Sequence, residues 1–236
     1  MVTIRDLHKM KQEGRKIVGV VAWDYQIAQI VDRAGVELVS VGDSVGVNLW
    51  GHASPDEITL EEMLVVCKAV RRGVKRALLS CDLPGTAQSV DAALRLKAAG
   101  ADVVKLSDET AIKAVVRAAV PVFAEFHGGQ AETAKLVAQA KRLEDAGASL
   151  LDFRHSGPVA GEAVVRAVRI PVIGGLGGGP WLDGRMRMVH AAIGYAFSNV
   201  DSKVEQYANV SKITLDAITA YAEDVRAARQ IKGQRA

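Results

Sequence analysis

The chain has 236 residues, of which 49% are apolar and 24% charged, with a net charge of +3. That length buries one full core, and the balance is that of a globular domain rather than a disordered or fibrous chain. No run of Lys and Arg marks a nucleic-acid surface and no apolar stretch approaches the ~20 residues of a membrane helix, so neither nucleic acid nor membrane is an expected partner.

In chain order, "MVTIRDLHKMKQEG" is polar and amphipathic and predicts a helix over about residues 3–13. It lacks the apolar centre of a signal peptide. Short runs rich in Val, Ile and Leu then alternate with longer stretches of helical spacing. The strand candidates are "KIVGVVA" (16–22), "ELVSVG" (37–42), "RALLSC" (76–81), "ADVVKL" (101–106), "PVFAEF" (121–126), "SLLDF" (149–153) and "PVIGG" (171–175), with a weak eighth near 185–189. Helices are predicted over 60–72, 90–99 and 131–146, and a last one over about 211–229 that ends in a frayed basic tail. Three pre-strand turns share one phrase, "RAGVEL", "AAGADV" and "DAGASL", in which Gly ends a helix in a left-handed conformation. Cys67 and Cys81 fall in a predicted helix and a predicted strand, which is the pattern of reduced thiols in a cytoplasmic protein.

Continuous apolar strands alternating with helices predict a parallel sheet covered on both faces. Seven or eight such units predict a single α/β domain, a closed (β/α)8 barrel of the TIM type. An open doubly wound sheet is the competing architecture. Its glycine fingerprint is missing after the first strand, where the sequence reads "AWDYQIAQ".

Barrel chemistry collects at the C-terminal ends of strands. The polar residues expected there are Asp24, Asp43 with Ser44, Asp82, Lys105 with Ser107, Glu125 with His127, and Asp152 with His155. Any one of them can be a helix cap. Several carboxylates converging on one small mouth repel one another and resist desolvation, and a divalent cation together with a lysine relieves that cost.

The phrases "VGDSVG", "TLEEMLVVCKAVRRGVKRALLSCDLP", "GADVVKL", "IPVIGGLGGGPWLDGRMRMVHAAIG" and "QYANV" resemble ketopantoate hydroxymethyltransferase, a family within the barrel superfamily of phosphoenolpyruvate and 2-oxoacid enzymes. The likeness runs from about residue 17 to 225 and is most specific over 42–84. It implies transfer of a one-carbon unit from 5,10-methylenetetrahydrofolate to the enolate of 3-methyl-2-oxobutanoate, with Mg2+ holding the oxoacid. By the same resemblance Asp43 and Asp82 are metal ligands, Asp43, Ser44 and Asp82 meet the substrate, and Lys105 contacts the oxoacid's oxygens. Family members assemble through their barrels, so a homo-oligomer is implied as well. The chemistry suits these residue types, because magnesium prefers a few hard oxygen ligands and a chelating oxoacid completes its shell.

The chain also departs from the family. Ser107 stands where the family has a metal-linked carboxylate, although Asp108 and Glu109 follow. Glu125 stands where the family has histidine, and either replaces the missing carboxylate or serves as a base. Asp152 matches the family's basic glutamate. It is one methylene shorter, which sets the proton acceptor back by about 1.5 Å, and His155 is an alternative base. The loops after Asp82 and after the fifth strand are shortened. Three readings follow: hydroxymethyl transfer to a 2-oxoacid, a folate-independent aldolase or lyase on the same kind of substrate, or a non-catalytic 2-oxoacid-binding homologue. His52 and His190 read equally as packing or turn residues. The glycine run at 174–180 reads as a place of close backbone approach rather than a nucleotide loop.

Overall fold

The structure, a computed structural model, describes residues 1–233. Among these, eight parallel strands close into a barrel in sequence order: β1 (Ile17–Val21), β2 (Leu38–Val41), β3 (Leu78–Asp82), β4 (Val103–Leu106), β5 (Val122–His127), β6 (Leu150–Arg154), β7 (Val172–Gly174) and β8 (Gly184–Met188). Closure removes the open-sheet alternative. Every residue of β2, β3 and β4 is buried, as expected of strands covered on both faces.

The helices around them begin where short polar side chains can cap them. They are α1 (Ile4–Gln12), α2 (Tyr25–Arg33), α3 (Leu60–Gly73), α4 (Val90–Ala98), α5 (Glu109–Arg117), α6 (Thr133–Asp145) and α7 (Pro158–Ala167). Thr3 with Asp6 and Thr59 with Glu62 form reciprocal capping boxes, while Asp24, Ser89 and Asp108 cap α2, α4 and α5. The glycines of the repeated turn phrase, Gly35, Gly100 and Gly147, have φ of 86°, 112° and 95°, so each helix ends in the left-handed turn that its sequence predicts.

The N-terminal end of the barrel is closed by α1. Leu7 and Met10 are buried there, Lys11 Nζ donates to Asp183 Oδ2 (2.7 Å) and to the Val165 carbonyl (3.0 Å), and the His8 ring meets the Ser149 carbonyl at 2.8 Å. The opposite end is left for the site. Alternation along each strand sends one set of side chains inward. Ser40 and Ser80, paired in register on β2 and β3, share a buried hydrogen bond of 2.7 Å inside the barrel. Two residues further on, Asp82 takes the same side. Cys81 points the other way, its buried thiol 3.9 Å from the Asp82 carbonyl oxygen, and Cys67 is buried in α3, so neither cysteine belongs to the mouth.

The chain parts into two compact units, the first being Met1–Arg187 and the second beginning at Met188. The second contains α8 (Val189–Ile193), a single turn at Phe197–Asn199 and α9 (Val210–Arg226). Asn209 caps α9 by accepting from the Lys212 N–H at 3.0 Å. His190 lies in α8, edge-on to Tyr195 with ring centroids 4.5 Å apart. The end of the predicted basic tail, residues 234–236, lies outside the described residues.

Candidate active site

The strand register stacks the charged side chains in layers. Asp82 of β3 lies beside Lys105 of β4, and Lys105 lies beside Phe123 of β5. One layer higher, Glu125 of β5 lies beside Asp152 of β6, with His127 beside Arg154 above them. Phe123 is fully buried and its ring centroid lies 6.0 Å below the Lys105 ammonium, forming an apolar floor with a weak cation–π contact.

Lys105 is the hub. Its Nζ lies 2.9 Å from Asp82 Oδ2, 3.2 Å from Glu125 Oε2 and 3.2 Å from Asp152 Oδ2. Lys105, Asp82 and Asp152 are 5%, 4% and 1% exposed, so this is a desolvated ion cluster rather than a surface pair. Such a cluster is costly to bury and costly to break; removing one partner of a buried pair typically costs ~3–5 kcal/mol. Burial alone would discharge Lys105. The carboxylates of Asp82, Asp152 and Glu125 outweigh that effect and hold it charged well above the usual lysine range.

A second cation sits above. Arg154 Nη1 lies 3.1 Å from Glu125 Oε1, and its Nε lies 3.6 Å from Asp152 Oδ2. Glu125 Oε1 also meets His127 Nε2 at 3.1 Å. Burial pushes the Glu125 carboxyl up, but Lys105, Arg154 and His127 together hold it below the usual range. Asp152 is held by Lys105 at one oxygen and by the Gly175 N–H at the other (3.0 Å). Gly175 belongs to the glycine run after β7, whose close backbone approach is therefore to a carboxylate of the chain itself.

Four carboxylates, those of Asp43, Asp82, Glu125 and Asp152, meet two permanent cations, Lys105 and Arg154. Two negative charges remain uncompensated. The consequence shows at Asp82. Burial, reinforced by the charges of Asp43 and Glu125, pushes its carboxyl up to about 7 against the pull of Lys105. Asp82 Oδ1 is buried and has no hydrogen-bond partner among the described residues. Next to it, a Cβ placed on Gly42 would lie 3.3 Å from Ser44 Oγ and 3.6 Å from Asp82 Oδ2, so a side chain at 42 would fill the space between them.

The structure thus gathers Asp82, Lys105, Glu125 and Asp152 into direct contact. Asp43 and Ser44 lie half-buried beside Asp82. Other strand-end residues are taken by local structure. Asp24 caps α2 through the Ile27 N–H at 2.8 Å. Asp108 caps α5 through the Ala111 N–H at 2.6 Å, and Glu109 pairs with Lys113 and Arg142 on the outer surface. Neither therefore supplies the carboxylate that Ser107 lacks; Ser107 itself is tied to Gln88. His52 lies 3.3 Å from Glu62 at the start of α3, as a loop tether. His155 is exposed at φ 49°, its ring stacked near that of His127 with centroids 6.2 Å apart. Among the described residues no group of three or more His, Cys, Asp and Glu side chains could hold a metal ion.

Sequence reasoning missed Arg154. The signal was present, since in "LLDFR" the arginine lies two residues after Asp152 and a strand repeats its face every second residue.

The closed parallel barrel is a fold shared with members of the PEP mutase/isocitrate lyase superfamily. The chain superimposes on a phosphonopyruvate hydrolase solved with oxalate and magnesium (TM-score 0.65, 15% identity, 96% of this chain and 99% of that one). It also superimposes on 2,3-dimethylmalate lyase, a member of that superfamily (TM-score 0.64, 14% identity, 96% and 86%). Sequence similarity is narrower. The profile of ketopantoate hydroxymethyltransferase matches residues 1–230. The 3-methyl-2-oxobutanoate hydroxymethyltransferases of Staphylothermus marinus and Geobacillus thermodenitrificans are 33% and 34% identical to it, over 95% and 96% of this chain and 92% and 90% of their own. The chain belongs to the ketopantoate hydroxymethyltransferase family, and is an enzyme of the hydroxymethyltransferase type.

Proposed function

We propose that the enzyme removes a proton from C3 of a 2-oxoacid and joins the resulting enolate to a one-carbon unit. The substrate type is 3-methyl-2-oxobutanoate and the donor is 5,10-methylenetetrahydrofolate. The observation that carries this reading is the unpartnered, buried Asp82 Oδ1 beside Asp43 and Lys105, in a mouth with two uncompensated negative charges.

That donor set fits a divalent cation, and magnesium best. Two hard carboxylates, Asp43 and Asp82, suit an ion that takes few protein ligands and leaves positions for water and substrate. When bound, the cation supplies Lewis acidity at the ketone and brings the charge of the mouth to balance. The remaining work falls to the chain. Ser44 offers a hydroxyl to the oxoacid. Lys105 holds a fixed positive charge where negative charge develops on the substrate. Asp152 takes the C3 proton. In the free protein its Oδ2 shares the Lys105 ammonium at 3.2 Å, and an incoming substrate carboxylate competes for that ammonium. Glu125, held by Lys105, Arg154 and His127, would return to the mouth the negative charge that Ser107 does not supply.

A second reading, an aldolase or lyase working without folate, draws on the short connections at the mouth. After β3 there is one turn, Gly85–Ala87, and after β5 only residues 128–132 precede α6. Deuterium exchange at C3 of a panel of 2-oxoacids, with magnesium and without folate, tests the step common to both. Exchange that requires magnesium and disappears in Asp82→Asn is expected. Exchange at the normal rate in Asp82→Asn overturns the assignment of Asp82. Full turnover dependent on methylenetetrahydrofolate then separates transfer from aldol cleavage.

A further inference from the structure

We propose that Arg154 reads a second anionic group on the substrate, so that the preferred 2-oxoacid is a dicarboxylate, or a similar dianion, rather than one with a plain hydrocarbon tail. The proposal rests on the enolisation of a 2-oxoacid proposed above and replaces the hydrocarbon tail of the substrate type named there with an anionic one.

The guanidinium is set into the mouth by the β6 register and is only partly exposed, at 26% of its side chain. Its Nη1 faces Glu125 Oε1 at 3.1 Å. Its Nε is buried, lies 3.6 Å from Asp152 Oδ2, and makes no hydrogen bond among the described residues. A separation of 3.6 Å is beyond hydrogen-bond range, and leaving a buried charged donor unmade is expensive. Arginine's planar fork is suited to two parallel bonds to a carboxylate, and that capacity is not used up by the chain.

The spacing suits one ligand meeting both cations. Lys105 and Arg154 approach opposite oxygens of the same Glu125 carboxylate, at 3.2 and 3.1 Å, and both also lie near Asp152 Oδ2, at 3.2 and 3.6 Å, so both cations are within reach of one short ligand. The two carboxylate carbons of an extended five-carbon diacid lie about 5 Å apart by standard bond lengths. One end can therefore lie against Lys105 while the other reaches Arg154. Arg154, His127 and His155 gather with Glu125 and Asp152 on the β5–β6 side, at the rim left open by the short loop at 128–132, away from Asp43 and Asp82 on the β2–β3 side. The competing explanation gives Arg154 no ligand and lets it only neutralise Glu125 and Asp152.

The test compares 2-oxopentanedioate with 2-oxopentanoate, which differ only in the terminal carboxylate. C3 deuterium exchange and calorimetric binding are measured with the full chain and magnesium. The expected result is a preference for the diacid of about tenfold or more in kcat/KM, the scale of a charge-assisted pair of bonds. Arg154→Lys and Arg154→Gln should each collapse that ratio, whatever they do to either rate alone. A wild-type enzyme without the preference, or variants that slow both acids equally, overturns the proposal and leaves the oxoacid reading intact. Tighter binding of the diacid that depends on Arg154, without exchange of either acid, supports the arginine's role and overturns the enolisation reading. Neither binding nor exchange overturns both.

Discussion

Asp152 and Glu125 carry the same charge on neighbouring strands, yet they are held differently. Asp152 is 1% exposed and pinned by a backbone N–H, whereas Glu125 opens towards solvent through His127. Their substitutions should therefore separate. Asp152→Asn is expected to lower C3 exchange by about 10²–10⁴-fold at saturating magnesium, the scale of a lost general base. Glu125→Gln is expected to raise the magnesium concentration needed for half-maximal exchange several-fold while leaving the saturated rate within an order of magnitude. The opposite pattern exchanges their roles, and if neither matters the proton acceptor is His127 or His155. Lys105 yields a second prediction at this scale. It is held charged by three carboxylates, so it is a poor amine nucleophile. Borohydride treatment with the oxoacid should leave no adduct on Lys105 by mass spectrometry, and a stable mass increase there would place the enzyme among the imine-forming aldolases. Much of this site was legible in the sequence, because Asp82 and Lys105 end apolar runs and a barrel sends such ends to one mouth. Glu125 could be read from the sequence as a substitute for the carboxylate missing at Ser107, but its neighbours could not. The barrel's stagger pairs Lys105 with Phe123 and sets Glu125 one layer higher with Asp152, and that register is a property of the closed sheet rather than of any one strand.

At the scale of elements, strands β1 to β7 fall inside or within one residue of the apolar runs that predict them, since burial on both faces leaves little choice of residue. The eighth is harder to see. "GRMRM" exposes Arg185 and Arg187 and buries Gly184 and Met186, so it reads as a half-covered strand. Asp32 was invisible for another reason: its partners are distant in sequence. It lies near the end of α2, and its buried carboxylate accepts from the N–H groups of Lys75, Arg76 and Ala77, which lead into β3. Burial pushes its carboxyl up, but the three backbone donors outweigh this and hold it below the usual aspartate range. A carboxyl lowered by folding stabilises the fold fully above its unfolded value of about 3.9, and loses that contribution as pH falls through the lower folded value. Asp32→Asn should therefore destabilise by about 2–3 kcal/mol near neutrality, where charge-assisted bonds are lost. The gap from wild type should narrow below about pH 4. Denaturant titrations at pH 7 and pH 3 measure this, and a gap of equal size at both would show that the charge of Asp32 contributes nothing.

At the scale of the whole molecule, the family resemblance implies a homo-oligomer, and α9 offers a physical reason for one. Among the described residues α9 buries only Ser211. Leu215, Ile218, Tyr221 and Val225 follow at steps of three and four, the spacing of one helical face, and are 47%, 60%, 51% and 48% exposed. A water-facing helix normally keeps such a stripe polar, and a contiguous apolar face of this kind marks an association surface. Partners of the same sequence would supply a matching stripe and remove it from water. Burying these side chains is worth about 1.5–3 kcal/mol for each one fully covered. Replacing Ile218 and Tyr221 together by Glu should therefore shift sedimentation equilibrium towards the monomer at micromolar concentration, with the far-ultraviolet circular dichroism unchanged. If the wild-type chain sediments as a monomer, the association is wrong. If the double variant keeps the wild-type assembly, the chains associate through the barrel instead of through this face of α9.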